Sequence, residues 1–503
     1  MASKQFKIPL AGSYTNRVSA VNTSDTSSGY VGVGIVGLMI VGKTTQSTNK
    51  DQRFVNCFSE TIVDAVTGER TIYCVKRPGW AASNTPSAGN IGNAIFVWTG
   101  SASGVDVISS FGGTNSTVYN GTTSLGAITG KCTGITETFV SATATLTVSS
   151  TDNTGWYYDT GVAVMTKISD GDFPGNAGKT LAGTFAHIDG YPVIMTTDGG
   201  LWAGDLNTLT GWTSTSFGSA NSYADKGIGC VRHKNFIMAF GTESIEFFYN
   251  AGLTPFPLAK NASMTVKVGA VSADAIAQLA DTTFFAGSTP QSGLSIFQFD
   301  SGISRISTPE IDSILVLAGA SNVSLTTLRV LGRSFVIVVA STTTLVYCLE
   351  EKSWHEWSGE TILWYKCAGV SIGGTLVNYC ISKQSTGGKV YIQNQASLTF
   401  EDDSVAYTAR QQLKLIDLGT NNRKFWEEVK LIADIEPNST ATLSYTDDDY
   451  VTFTTWGTLD LSTPYPSANR LGSSRRRGWV VTHASNTPYR AERLEITTSV
   501  GSQ

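Results

Sequence analysis

The sequence predicts an all-β protein built mainly from short antiparallel strands. Apolar runs of strand length recur along most of the 503 residues, and tight polar breaks separate them. The stretch 229–248 shows the pattern, because a polar break at 241–244 joins two apolar runs. Only 15% of the residues are charged, and 51 glycines are available for turns. A chain of this length can bury cores in two or three domains.

Three regions follow one another along the chain. Residues 1–80 include a Gly-rich insertion at about 14–50, residues 81–400 are strand and turn almost throughout, and residues 401–503 carry denser charge clusters. The middle region is about 320 residues long, which fits six or seven propeller blades of about 40 to 50 residues each. Aromatic residues near the predicted strand ends suit the cores of such blades. One stretch, 272–280, has helical spacing after a serine cap, but it is short enough to be a turn plus a strand.

Charge and cysteine usage limit the classes of function. The net charge of −5 gives no general attraction to phosphate backbones or to anionic membranes. No run approaches the ~20 apolar residues that span a bilayer, and the N-terminus lacks the apolar core of a signal peptide. The seven cysteines are scattered without a C-x-x-C pair, which is typical of reduced core thiols in a protein made in a cytoplasm.

Several short patterns suggest chemistry, and in each the plain structural interpretation is favoured. Residues 37–44 satisfy G-x-x-x-x-G-K-[ST], but their apolar middle and poor helix-forming sequel favour a packed Gly-rich strand or loop. The cluster 447–449 could bind Ca²⁺, although a solvated hairpin tip is favoured. The basic run 475–477 favours a subunit interface or a solvated turn over phosphate contact.

No catalytic constellation appears in the sequence. The four histidines have no metal-ligand spacing to another histidine or to a cysteine, and the patterns of serine hydrolases and zinc proteases are missing. We therefore expect a protein that is not an enzyme and that uses no cofactor or metal.

An ordered set of short segments between about residues 50 and 495 carries a family resemblance. No single segment is diagnostic, but their order makes the set specific. The segments are Asp51-Gln52-Arg53-Phe54-Val55-Asn56, Lys76-Arg77-Pro78-Gly79, 217–225, 240–248, 304–311, Trp354-His355-Glu356, 417–420 and 470–476. In this order the chain resembles the tail nozzle proteins of short-tailed bacteriophages, also described as packaged-DNA stabilisation or tail tubular B-like proteins.

The resemblance implies a six-bladed propeller on a β platform built from both chain ends. It implies a homo-hexameric ring in the virion tail, below the portal and its adaptor ring, that retains packaged double-stranded DNA and conducts it during ejection. The implied partners are the adaptor, tail fibres or tailspikes, a tail needle, and DNA passing without sequence specificity. An acidic balance suits such a channel, because each phosphate neutralised by the wall would strengthen binding and hold the DNA.

The resemblance also implies a set of structural or interface residues, none of them catalytic. They are Asp51, Gln52, Arg53, Asn56, Arg77, Pro78, Gly79, Asp225, Gly241, Glu246, Arg305, Ser307, Arg470, Arg475 and Arg476. Two stretches depart from the family pattern: the insertion before Asp51, and residues 100–155. Their Gly-rich composition predicts a channel gate in the loop from Val31 to Val41 and a tip insertion at about 100–155.

A second class of function fits the same fold. A monomeric carbohydrate-binding or carbohydrate-cleaving propeller would carry clustered carboxylates and exposed aromatic side chains on one face. Assembly with sixfold symmetry distinguishes the ring from this alternative.

Overall fold

Strands from both ends of the chain form one part of the molecule, and the middle of the chain forms a ring of small sheets. The computed structural model describes residues 3–9, 52–63, 68, 70–101, 104–140, 143–158, 161, 163–220, 222–223, 225–289, 292–358, 364–383 and 387–501. Asp51, the phosphate-loop pattern 37–44 and the predicted gate from Val31 to Val41 lie outside the described residues.

The N-terminal strands serve both parts of the fold. The first, second and fourth pair with C-terminal strands, the third pairs with the fourth, and the fifth joins the ring. They are β1 (Ser3–Pro9), β2 (Arg53–Val55), β3 (Cys57–Val63), β4 (Arg70–Lys76) and β5 (Ala81–Asn84).

Four sheets of four antiparallel strands follow, and their strands pair in chain order. We call them blades 1 to 4. Their strands are β6 (Gly92–Ser101), β7 (Gly104–Phe111), β8 (Ser116–Asn120), β9 (Thr123–Ile128); β10 (Cys132–Val140), β11 (Thr143–Ser150), β12 (Gly155–Tyr158), β13 (Thr166–Lys167); β14 (Leu181–Ile188), β15 (Tyr191–Thr196), β16 (Gly200–Ala203), β17 (Phe217–Ser219); β18 (Gly227–His233), β19 (Phe236–Gly241), β20 (Ile245–Asn250) and β21 (Leu258–Lys260).

Three more blades complete the ring, with a helix between blades 5 and 6. Blade 7 takes β5 as its outermost strand, so the N-terminal segment closes the ring. The elements are β22 (Gly269–Ala270), β23 (Ile276–Leu279), β24 (Thr282–Thr289), β25 (Ser292–Phe299), β26 (Ile303–Arg305); α1 (Pro309–Ala318); β27 (Val323–Val330), β28 (Arg333–Ala340), β29 (Thr343–Cys348), β30 (Ser353–Trp357); β31 (Trp364–Ile372), β32 (Thr375–Ser382) and β33 (Val390–Asn394).

The blades form a closed propeller. The first strands of blades 1 to 4 pack side by side in order, β23, β27 and β31 continue the ring, and β31 returns to β6. This arrangement confirms the predicted all-β propeller class. The implied number of six blades is wrong, because the residues that the structure describes form seven sheets around the ring. Length alone left both numbers open, and the borrowed β5 supplies the strand that completes the seventh sheet.

The remaining strands build the platform, which we define as the two sheets formed by β1–β4 with the C-terminal strands. These are β36 (Ala409–Gln412), β37 (Lys424–Ala433), β38 (Thr440–Thr446), β39 (Thr454–Asp460), β40 (Ser467–Asn469), β41 (Ser473–Ser474), β42 (Gly478–His483) and β43 (Arg490–Val500), after a small hairpin of β34 (Glu401–Asp402) and β35 (Val405–Ala406). One sheet has the order β3-β4-β43-β37-β40. The other, β2-β36-β42-β38-β39, continues from β30 of blade 6. A shared apolar core contains Trp426 and Trp479, whose rings meet edge to face.

The structure decides two local predictions. The stretch at about 100–155, predicted as a tip insertion, lies within blades 1 and 2, and most of its described residues form their strands. The stretch 272–280 is a turn plus strand, because a single 3-10 turn at Ala273–Ala275 leads into β23.

The longest described helix is α1, which was not predicted from the sequence. Its Thr308 cap accepts from the Ile311 amide, and proline occupies its first turn. All seven cysteines are free thiols, and six are buried.

Candidate functional site at the junction of propeller and platform

Three of the family-like segments meet where blade 6 joins the platform. β2 pairs in parallel with β30, which places Val55 opposite Glu356. The Arg53 guanidinium donates to both carboxylate oxygens of Glu356, at 2.8 and 2.6 Å. The Asn56 amide donates to the Glu356 carbonyl at 2.8 Å. Residues 53–56 and 354–356 therefore form one continuous sheet connection between the platform and the propeller.

Arg77 is the centre of this junction and is fully buried. Its Nη1 and Nη2 donate to the two carboxylate oxygens of Asp402 at 3.0 and 2.5 Å, and its Nε donates to Asn56 Oδ1 at 2.9 Å. Burial lowers the pKa of Arg77, but the Asp402 carboxylate more than offsets this, and the pKa stands above its ordinary value. A buried guanidinium with a bidentate partner forms a strong, directional contact.

Aromatic rings enclose the same guanidinium. Its Cζ lies 3.8 Å from the ring centroid of Tyr407 and 4.7 Å from that of Trp364. The Tyr407 hydroxyl donates to the Arg77 carbonyl. The cage thus joins Arg77, which precedes β5, to blade 7 and to the segment that leads into the platform.

Pro78 and Gly79 hold the chain against the β34 hairpin. The Gly79 amide donates to the Thr399 carbonyl at 2.6 Å, and Gln393 Nε2 donates to the carbonyls of both Pro78 and Gly79 at 3.3 Å. A Cβ atom on Gly79 would lie 2.0 Å from the Glu401 carbonyl oxygen. Only glycine lets the two backbones approach this closely. Gln52, the next described residue after the gap, is half-buried beside β2.

Asp225, Gly241 and Glu246 form a second cluster, in blade 4. Asp225 Oδ2 accepts from the backbone amides of Glu243 and Ser244, both at 2.9 Å, which caps the turn between β19 and β20. The Glu246 carboxylate is buried and accepts from the Ser222 amide at 2.6 Å. The segments 217–225 and 240–248 therefore pack together as a structural unit within one blade.

Arg305 and Ser307 lie on the connection from blade 5 to α1. Arg305 forms an ion pair with Asp312 of the helix, and Ser307 Oγ accepts from the Ile296 amide at 3.0 Å. Trp354 Nε1 donates to the Ile306 carbonyl at 2.9 Å, so the segments 304–311 and 354–356 also meet. These residues fix the helix between blades 5 and 6.

The C-terminal arginines divide into exposed and buried positions. Arg470, Arg475 and Arg476 are exposed, whereas Arg477 is buried in the platform. Arg477 Nε and Nη2 donate to the two carboxylate oxygens of Asp447, each at 2.7 Å. Asp448 accepts from the Thr452 amide and from the Thr446 hydroxyl. The acidic cluster 447–449 is therefore partly used in local contacts.

The sequence analysis missed three residues that complete these sites. Asp402 and Tyr407 were not connected to Arg77, and Arg477 was not distinguished from its exposed neighbours. A weak signal existed for Arg477, since Gly478 and Trp479 begin an apolar strand directly after it. In the described ranges, no three histidine, cysteine or acidic side chains are grouped to hold a metal ion. The described helices include none of the length and apolarity needed to cross a membrane.

The propeller matches a known family. Residues 113–361, from blade 1 to the end of blade 6, match the family described as "Bacteriophage P22 Gp10, beta-propeller". Over these residues the propeller is similar to the phage stabilisation family. The resemblance recognised in the sequence is thereby confirmed, and the chain is a structural protein of a bacteriophage and a component of the virion. No curated protein matches the chain.

Proposed function

We propose that the chain forms the hexameric tail nozzle below the portal and adaptor ring, where it retains packaged DNA and later conducts it out. In this proposal the protein acts by assembly and not by catalysis, and its partners are five further copies, the adaptor, the tail fibres or tailspikes and a tail needle. The observation that carries it is the Arg77 junction within a propeller of the phage stabilisation family.

The junction supports this proposal mechanically. A ring that closes a pressurised channel needs subunits whose parts do not move independently. Arg77 contacts Asn56, Asp402 and Tyr407, so one side chain holds β2, the β34 hairpin and the chain leading to β36. Buried, paired charges break only at a cost of several kcal/mol, because the remaining charge loses its hydration. The platform and propeller would therefore move as one body under load.

The charge balance supports the passage of DNA. A net charge of −5 across the chain leaves no strong attraction for a polyanion in solution. Each phosphate that a channel wall neutralises adds a salt-dependent contribution to binding and slows release. A weakly acidic subunit suits a channel through which DNA slides without sequence preference.

The proposal is tested by adding purified protein to DNA-filled particles assembled without it. The protein as isolated should raise the fraction of genome protected from DNase, and a variant with Arg77→Met should protect less. A matched change at the surface pair of Lys179 and Asp198, Lys179→Gln, should protect as well as the unchanged protein. Equal DNA loss with and without the protein would contradict the proposed retention role.

A further inference from the structure

A cavity lies at the centre of the propeller and is lined by the inner strands of six blades. It holds about 170 Å³ and is lined by residues from β6, β10, β14, β18 and β31 and from the 3-10 turn before β23. Its polar lining includes Asn93, Thr184, Asp274 and Lys366. Pockets for nucleotide-sized or drug-sized ligands occupy about 300 Å³ or more, so this cavity admits only a small ion or molecule.

Two buried polar atoms of residues on this lining have no hydrogen-bond partner among the described residues. The Asn93 side chain is 2% exposed, and its Nδ2 donates to the Gly112 carbonyl and to Ser116 Oγ, both at 2.9 Å. These two bonds fix the amide, and its Oδ1 is left without a donor. Thr184 Oγ1 is likewise buried without a partner. Unsatisfied buried polar atoms are unfavourable, so an occupant that both donates and accepts is expected.

The charged groups beside the cavity carry a net positive charge. Asp274 is approached by Lys366 Nζ at 3.5 Å and by Lys383 Nζ at 3.8 Å, and Tyr365 donates to it at 2.6 Å. Burial raises the pKa of Asp274, but Lys366, Tyr365, Lys383 and Lys131 together more than offset this and lower it. Burial and the Lys383 ammonium lower the pKa of Lys131. Three lysines sharing one carboxylate disfavour a divalent cation and favour an anion.

We propose that the axial cavity binds a small oxyanion, with inorganic phosphate as its best-fitting form. Lys366, Lys383 and Lys131 attract the anion by their positive charge, although the Lys366 ammonium donates to Asp274 and to the Leu325 carbonyl. The anion accepts from the Thr184 hydroxyl. Its own protonated oxygen donates to Asn93 Oδ1. Bound there, the ion connects blades 1, 3 and 7 across the axis and neutralises the surplus of lysine charge.

The test measures the melting temperature of the full-length protein in phosphate and in chloride at equal ionic strength. Phosphate should raise it by about 2 °C or more when its concentration is well above its dissociation constant. Isothermal titration with phosphate should give one site per chain. Equal melting temperatures in the two salts would overturn the proposal.

Variants separate the site from a general salt effect. Lys383→Gln and Thr184→Val should each weaken phosphate binding by about threefold or more, since each removes one favourable partner. Lys179→Gln is the control, because Lys179 also pairs with one aspartate and is similarly exposed, at 45% against 39% for Lys383. An equal effect of Lys383→Gln and Lys179→Gln would overturn the site.

A short oligonucleotide with a 5′-terminal phosphate distinguishes the source of the phosphate group. The cavity volume predicts that inorganic phosphate binds and that the oligonucleotide does not compete with it. Binding of the oligonucleotide without binding of inorganic phosphate would overturn the proposed free ion.

Discussion

Two buried arginines occupy closely similar cages in different regions of the molecule. At the junction, Arg77 pairs with Asp402 and lies 3.8 Å from the ring centroid of Tyr407. In the platform, Arg477 pairs with Asp447 and lies 3.8 Å from the ring centroid of Tyr445. The chemistry of the two cages is the same: a bidentate carboxylate on one side and a tyrosine face on the other.

The two cages differ in solvent access and in what they connect. The Asp402 side chain is 2% exposed, whereas that of Asp447 is 36% exposed. Arg77 and Asp402 are 325 residues apart, but Arg477 and Asp447 are separated by 30. The junction cage therefore holds distant parts of the chain together in a dry site. The platform cage closes a local connection that water can partly replace.

The largest effect is expected from Arg77→Met. Because Asp402 would stay buried without its counter-charge, the free energy of unfolding should fall by about 3–5 kcal/mol. Urea unfolding followed by tryptophan fluorescence measures the change. The double variant Arg77→Met with Asp402→Leu should recover much of the loss, since no unpaired charge remains. An Arg77→Met variant as stable as the unchanged protein would show that the junction cage does not stabilise the fold.

Gly79→Ala breaks the same junction through the backbone alone. The added methyl group would meet the Glu401 carbonyl, and the resulting shift should lower the free energy of unfolding by up to about 3 kcal/mol. Gly302→Ala is the control, because a Cβ atom there meets nothing within 4 Å. Similar melting temperatures for the two variants would contradict the tight approach at Gly79.

Arg477→Met should have a smaller effect than Arg77→Met. Asp447 can recover hydration when its partner is lost, so the expected decrease is about 1–2 kcal/mol. The same urea titration measures it. A loss as large as that of Arg77→Met would remove the distinction between the dry and the hydrated cage.

Acid should weaken both regions through one buried histidine in each. Burial lowers the pKa of His355, next to the junction, and of His483, in the platform, to about 3. The unfolded chain binds these protons near a pKa of about 6.5, so stability is complete above that value and decreases as the pH falls toward 3. Each histidine should contribute about 1 kcal/mol of loss at about pH 5.5. His355→Gln and His483→Gln should each reduce the difference between about pH 7.5 and about pH 5.5 by a similar amount, and an unchanged difference in both would contradict their buried neutral state.

The sequence predicted the class of fold, but not how its segments pair. Apolar runs of strand length, separated by tight polar breaks, indicated antiparallel sheets, and this signal is local. The contact of Arg77 with Asp402 depends on ring closure by β5, which no local pattern records. α1 was missed because 309–318 is a short apolar run, although Thr308 and Pro309 supplied a cap and a first-turn proline. The seventh blade could not be predicted from local patterns either, because its four strands come from two distant segments of the chain.

Electron microscopy of the purified protein, alone and with the adaptor ring, shows whether the chain assembles as a tail nozzle. We expect rings of six copies with a central hole, each copy showing its propeller and platform in one fixed arrangement. Single propellers that do not bind the adaptor would contradict the nozzle and favour a monomeric carbohydrate-binding protein.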